Sequence, residues 1–261
     1  MAEDRSLIHF RPSEHEVVKR LRELSKRAAD GDHAVLTDFL TPRELQIGLM
    51  MANHTRVSWH TFGGHPNAER KRGLFYDRQW VEPVEDEFGI ACVKVDLGKN
   101  AERLSHGDFL GSLMGLGLDR ARFGDIVLVD EHAYVFCVDS MLSFLRREWL
   151  KVGRHTVSIS DIGLDSMPDL PASRMEERTV TMQSLRLDAF VGYAFSISRS
   201  KAIDPIKAGR VQLNFVVCAD PSEEIQEGDI VSLRGSGRAR ILAVEGSSRS
   251  GRIFVRIGRY I

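Results

Sequence analysis

Within residues 182–261 the hydrophobic period changes from helical to strand-like, and that switch most constrains what the chain can fold into. Leu185, Leu187, Phe190, Val191 and Ala194 recur at helical spacing, which predicts an amphipathic helix over 185–195. Ser196-Ile197-Ser198 makes a short polar break, and Ser198 is placed to cap a second helix that begins at Arg199 and stops at Gly209. Val211, Leu213 and Phe215 then alternate with Arg210, Gln212 and Asn214, the pattern of a half-buried strand. Glu227-Gly228-Asp229 reads as a turn, with strands over 230–233 and 239–244. In the last strand Ile253, Val255 and Ile257 share one face while Arg252, Phe254 and Arg256 share the other, a basic face with an aromatic in it. One residue breaks the local rules. Pro205 falls inside the second helix, so either that helix ends near Asp204 with a kink or its last turn is altered.

Four strings in this region, Leu185-Arg186-Leu187-Asp188, Ser198-Arg199-Ser200-Lys201, Gly209-Arg210-Val211-Gln212-Leu213-Asn214 and Glu227-Gly228-Asp229, come in an order and spacing that resembles the S4 RNA-binding module. That module occurs in ribosomal protein S4, several pseudouridine synthases and some tRNA synthetases. The resemblance implies a clamp for structured RNA. Backbone N–H groups at the start of the second helix, beside Arg199 and Lys201, make a seat for phosphate. The candidate RNA contacts are Arg186, Arg199, Ser200, Lys201, Lys207, Arg210, Asn214, Arg234 and Arg238. Asp188 reads instead as a structural residue at a helix start.

Composition and charge agree with this reading. At 261 residues there is room for two or three small domains, and 43% hydrophobic with 28% charged residues is the make-up of an ordinary soluble globular protein. No stretch approaches the roughly 18 apolar residues of a membrane helix. Residues 1–10 carry no signal-peptide core, and Cys92, Cys137 and Cys218 lie far apart, so a reduced cytoplasmic setting is expected. The overall charge of −1 hides an asymmetry: residues 182–261 hold 12 bases and 8 acids, a net +4 on an otherwise acidic body. A basic end of this kind is the end expected to meet a polyanion.

Upstream, residues 12–29 read as a charged amphipathic helix with Val17, Leu21 and Leu24 on one stripe. Thr41-Pro42-Arg43-Glu44 is a capping box that opens a helix through about Asn53. A strand over 57–62 and a turn at Gly63-Gly64-His65-Pro66 follow. Beyond them come strands near 73–80 and 88–97, a helix at 105–118, strands at 125–130 and 133–138, a helix at 140–151 and a strand at 154–160. The expected fold is therefore α+β: a mostly helical region over 1–72, an antiparallel α/β sandwich of RRM-like type over 73–165, and an S4 module over 172–261. The segment 167–171, Met-Pro-Asp-Leu-Pro, reads as the linker to that module.

Three further segments extend the resemblance to nearly the full length. They are the run from Leu104 through Arg120 into Phe123-Gly124-Asp125-Ile126, the string Thr37-Asp38-Phe39-Leu40 ahead of the capping box, and Ala68-Glu69-Arg70-Lys71-Arg72. With them the chain resembles the YlmH family of bacterial S4-domain RNA-binding proteins, whose cyanobacterial members carry the label photosystem II S4 domain protein. The resemblance implies a non-catalytic RNA-binding protein at the ribosome, with rRNA or tRNA on the large subunit as partners when translation stalls. The sequence carries no cofactor or metal-ligand pattern, so no cofactor and no metal are expected. The family name also appears beside division genes.

Other chemistries find weaker support in these residues. Ser105, His106 and Asp108 invite a triad reading, but sequence neighbours at one helix start rarely converge on one substrate, and an N-cap with Asp108 at its third position explains them. Gly115-Leu116-Gly117 lacks the third glycine of a dinucleotide loop and follows a helix rather than a strand. His60 and His65 have no acid or cysteine at metal spacing. Arg70-Lys71-Arg72, running into Leu74-Phe75-Tyr76, is either a solvated charge run or a second RNA contact with one aromatic for stacking. An RNA-modifying enzyme, a pseudouridine synthase or rRNA methyltransferase, is the rival class, because Arg186-Leu187-Asp188 matches a synthase string superficially. An assembly or division factor is a third.

Overall fold

Thr41 shows how local signals set the first helices in this computed structural model, which describes residues 7, 10, 12–31, 33–97, 104–171, 175–247 and 251–260. Its hydroxyl accepts from the Glu44 N–H at 3.4 Å while the Glu44 carboxylate accepts from the Thr41 N–H at 2.7 Å, with Pro42 at the first helical position. Helix α1 (His15–Asp30), strand β1 (Val35–Leu40), helix α2 (Pro42–Thr55) and strands β2 (Ser58–Phe62) and β3 (Lys71–Tyr76) form the N-terminal layer. The strands pair antiparallel in the order β1-β3-β2, and the helices bury Val18, Leu21, Ile47 and Met51 against Val35 and Phe75. The region expected to be mostly helical is thus two helices on a three-stranded sheet.

Next come β4 (Ile90–Asp96), α3 (His106–Gly115), β5 (Phe123–Val129), β6 (His132–Val138), α4 (Leu142–Glu148), the small hairpin β7 (Lys151–Val152) and β8 (His155–Thr156), and β9 (Ser158–Ile162). The main sheet runs β5-β6-β4-β9, all antiparallel, which is the split β-α-β-β-α-β topology of RRM-like folds. Ser105 caps α3 as the sequence indicates, its N–H and hydroxyl both donating to Asp108 Oδ2 at 2.8 and 2.7 Å. One sheet face buries Val93, Val95, Ala133 and Val135 under Phe109, Leu113, Leu145 and Trp149. The opposite face, bearing Cys92, Tyr134, Phe136 and Val138, is covered as well. Phe39 of β1 and Leu170 of the segment after β9 pack there. Residues read as a linker therefore begin as a strap: Leu170 is buried and its carbonyl accepts from Asn67 Nδ2 at 3.2 Å.

Met1–Pro171 forms one compact unit and Ala172–Ile261 another. The second unit contains β10 (Met175–Met182), α5 (Leu187–Ala194), α6 (Arg199–Lys207), β11 (Val211–Leu213), β12 (Val216–Val217), β13 (Ile230–Leu233), β14 (Gly237–Ser247) and β15 (Ile253–Tyr260). Its sheet order is β10-β15-β14-β13-β11-β12. Phe190, Val191, Ala202 and Ile206 from the two helices pack on Val231, Ile241, Val255 and Ile257. Pro205 does not end α6. The helix runs on to Lys207 and the Ala208 N–H still reaches the Asp204 carbonyl at 2.9 Å. Only the bond from position 205 to the Lys201 carbonyl is necessarily lost, and Lys201 is exposed, so water reaches that turn.

Candidate nucleic-acid interface

The centre of the site is a carboxylate. Asp188, at the start of α5, is only 4% exposed at its side chain, and guanidinium groups meet it from two directions. Arg186 donates through Nε and a terminal nitrogen at 3.3 and 3.2 Å. Arg199, from the start of α6, donates at 3.0–3.2 Å. The Ala189 N–H adds a third donor at 2.7 Å. Burial alone would raise the Asp188 pKa, but these hydrogen bonds outweigh it and hold the group below its ordinary value. In return Asp188 raises the pKa of Arg186.

Two cations share one buried anion, with the exposed Asp220 carboxylate also acting on Arg186, and what the cations present to a ligand follows from their exposure. The Arg186 and Arg199 side chains remain 36% and 51% exposed, so each presents N–H edges to solvent while the carboxylate fixes its orientation. Charge-assisted donors held this way lose little freedom when they meet phosphate. Ser200, Lys201, Lys207, Arg210 and Arg234 are exposed in the same unit, and Ser198 Oγ caps α6 by accepting from the Lys201 N–H at 3.3 Å. Arg238 is half-buried with its guanidinium 4.4 Å from the centre of the Tyr260 ring.

Several sequence candidates are employed elsewhere. Asn214 is buried, donates to Asp229 Oδ1 at 2.7 Å and accepts from the Ile230 N–H at 3.0 Å, so it braces the β11–β12 turn rather than facing RNA. Arg70 and Arg72 lie inside the first unit. Arg70 donates to the carbonyls of Phe123 and Phe39, and Arg72 to those of Thr37, Phe88 and Gly89. Phe75 and Tyr76 are buried too, so neither offers a stacking surface; of that run Lys71 alone is partly exposed. The outer face of β15 is less basic than its sequence suggests, because Arg256 pairs with Glu177 of β10 and Glu245 of β14 at 3.7 and 3.2 Å. The aromatic platform of an RRM is also closed in the middle sheet, since Tyr134 and Phe136 sit on its covered face.

Among the described residues no group of three or more His, Cys, Asp or Glu side chains is placed to hold a metal ion, and no helix is long and apolar enough to cross a membrane. Cys92 and Cys137 are buried, which raises both thiol pKa values, Cys137 to about 12.

Two helices packed on an antiparallel sheet present the carboxylate-braced arginine pair, and residues 185–231 match the S4 domain, which puts the chain among RNA-binding proteins of the S4 class. Residues 13–78 match the family described as "YlmH, N-terminal", and residues 83–166 that described as "Putative RNA-binding domain in YlmH". The chain belongs to the YlmH family. A relative from Bacillus subtilis (strain 168), named "Ribosome-associated protein quality control protein P2", is 32% identical over 241 residues, which span 92% of this chain and 93% of the relative. A solved structure titled "Cell division protein ylmH from Streptococcus pneumoniae" aligns with a TM-score of 0.54 at 24% identity, covering 62% of this chain and 98% of that one. At that identity the likeness speaks for the fold alone.

Proposed function

We propose that the protein binds structured RNA of the ribosome, rRNA or tRNA on the large subunit, and serves translation quality control without catalysing a reaction. The observation that carries this reading is the pair Arg186 and Arg199, braced on Asp188 and open to solvent, with Lys201, Lys207 and Arg210 exposed in the same unit. A relative that spans nearly the whole chain and is named for ribosome-associated quality control supports the setting. The working surface is that of α5, α6 and the loop into β11, where backbone phosphates meet fixed N–H donors. RNA binding by the full chain should weaken as salt rises, with a log–log slope of about −3 to −5 if roughly four to six phosphates are neutralised. The deciding experiment is sedimentation of lysate with and without ribonuclease. Co-migration with large subunits that ribonuclease abolishes supports the proposal, and free migration in both lanes refutes it.

A further inference from the structure

We propose that the S4 unit also holds a pocket for one unpaired nucleotide, beside the arginine pair. This rests on the RNA-binding reading and goes beyond its phosphate contacts. A groove of about 320 Å³ opens between α5, the α5–α6 break and the segment ahead of β15. That is near the small end of ligand-pocket sizes, about 300–1,000 Å³.

The lining sorts into three chemistries. Tyr193 forms an aromatic wall and stays 40% exposed although it stands on a helix that otherwise faces the core. Ile197 and Gly192 lie beside it, and the glycine lets the α5–α6 break pack closely on α5: a Cβ at position 192 would come within 3.1 Å of the Ile197 carbonyl oxygen. Gln183 and Ser184, at the turn from β10 into α5, offer an amide and a hydroxyl to the edge of a base. Arg199 and Arg252 supply the cations, and among the described residues no acidic side chain lines the groove. Arg199 is the same guanidinium that Asp188 holds, so a phosphate placed there fixes how far the attached base reaches toward Tyr193.

An aromatic face, edge-reading polar groups and flanking cations are the set that receives an unstacked base. A paired base is stacked on both sides and cannot enter. The chemistry therefore selects a bulge or loop nucleotide of any sequence that can expose one, rather than a continuous duplex.

The test uses the full chain and two stem-loop RNAs of the same stem, one with a single 2-aminopurine bulge and one fully paired. The wild type should bind the bulged RNA about tenfold tighter, within the range for stacking one base on an aromatic side chain, and should quench the 2-aminopurine fluorescence. Tyr193→Phe should keep both properties. Tyr193→Ala should lose the quench and the tenfold preference while binding the paired RNA as the wild type does. Equal binding of the two RNAs by the wild type, no quench on binding, or a Tyr193→Ala loss of equal size on both RNAs would each overturn the pocket and leave the phosphate surface standing. Failure to bind either RNA would overturn the RNA-binding reading, and the pocket with it.

Discussion

Arg70 and Arg72 in the first unit spend their guanidinium donors on main-chain carbonyls, whereas Arg186 and Arg199 in the second share one carboxylate and keep an edge in water. Both pairs are candidate RNA contacts in the sequence. What separates them is the acceptor. Carbonyls drawn from Thr37, Phe39, Phe88 and Phe123 surround the first pair and make each arginine a cross-link between the N-terminal layer and the middle fold. Burial there lowers both pKa values. At the second pair a single anion takes up donors from both cations and leaves each partly exposed at the surface. Arginine therefore reports an RNA contact only when some of its N–H groups remain unspent.

This contrast can be broken most severely at Arg72. Replacing it with alanine leaves the carbonyls of Thr37, Phe88 and Gly89 without their donor and opens a cavity, so urea unfolding should show a loss of about 3–5 kcal/mol. The protein that stays folded should bind RNA as before. A fall in affinity with stability intact would return this arginine to the binding surface.

Next in size is the double change Arg199→Ala with Lys201→Ala. Filter binding should show RNA affinity reduced about 10–100-fold, from two charge-assisted contacts worth together on the order of 1–3 kcal/mol. Stability should drop by about 1 kcal/mol, because Arg186 and the Ala189 N–H still hold the buried Asp188 and the Arg199 and Lys201 side chains are themselves exposed. A stability loss as large as that at Arg72, with affinity retained, would make the two pairs equivalent.

Asp188→Asn sharpens the comparison through pH. The Asp188 pKa is lowered in the folded state, so its contribution is present above the unfolded carboxylate value of about 3.9 and fades as pH falls through the lower folded value. The wild type should exceed the asparagine variant by on the order of 1–2 kcal/mol from pH 5 to 8, and the two should converge below about pH 4. A gap that persists undiminished in acid would show that shape rather than charge holds the arginines.

The smallest effect is expected at Asp108→Ala. Loss of its capping contacts should cost about 0.5–1 kcal/mol and leave RNA binding unchanged by the same filter assay. A new or lost RNA modification that depends on this residue, mapped by mass after incubation with ribosomal RNA, would point to chemistry instead of capping.

Features set by near neighbours were legible in the sequence. The Thr41 and Ser105 caps, the helices at 187–194 and 199–207, and the alternating strand at the C-terminus follow from short-range spacing. Features set by distant partners were not. The mixed polar string of β10 pairs along its whole length with β15, from Met175 opposite Tyr260 to Met182 opposite Ile253, and nothing local announces that partner. Asn214 sits in a string that reads as RNA-facing, but Asp229 and Ile230 claim its amide. The bracing of Arg186 and Arg199 depends on α5 and α6 meeting at Asp188, and the groove at Tyr193 on a strand end and a loop brought beside them. Arg252 was visible in the sequence as part of a basic strand face, whereas Tyr193 and Gln183 had only one weak signal, an aromatic on the outer side of an otherwise apolar helix.

The covered face of the middle sheet bears on how such a chain can be cut and joined. An RRM that reads single strands on an open sheet is portable, able to be moved between proteins because its working face asks nothing of its neighbours. Here Phe136 is closed in by Phe39 and by the stacked ring of His65, 4.7 Å away; a Cβ at Gly64 would collide with Phe136 and one at Gly124 with Phe39. An excised fragment starting near residue 83 would carry Tyr134, Phe136 and Val138 bare and should precipitate. Exchange between relatives should follow the same rule: residues 13–78 and 83–166 share the cluster around Phe39 and Phe136 and are expected to move together, whereas the S4 unit has a core of its own.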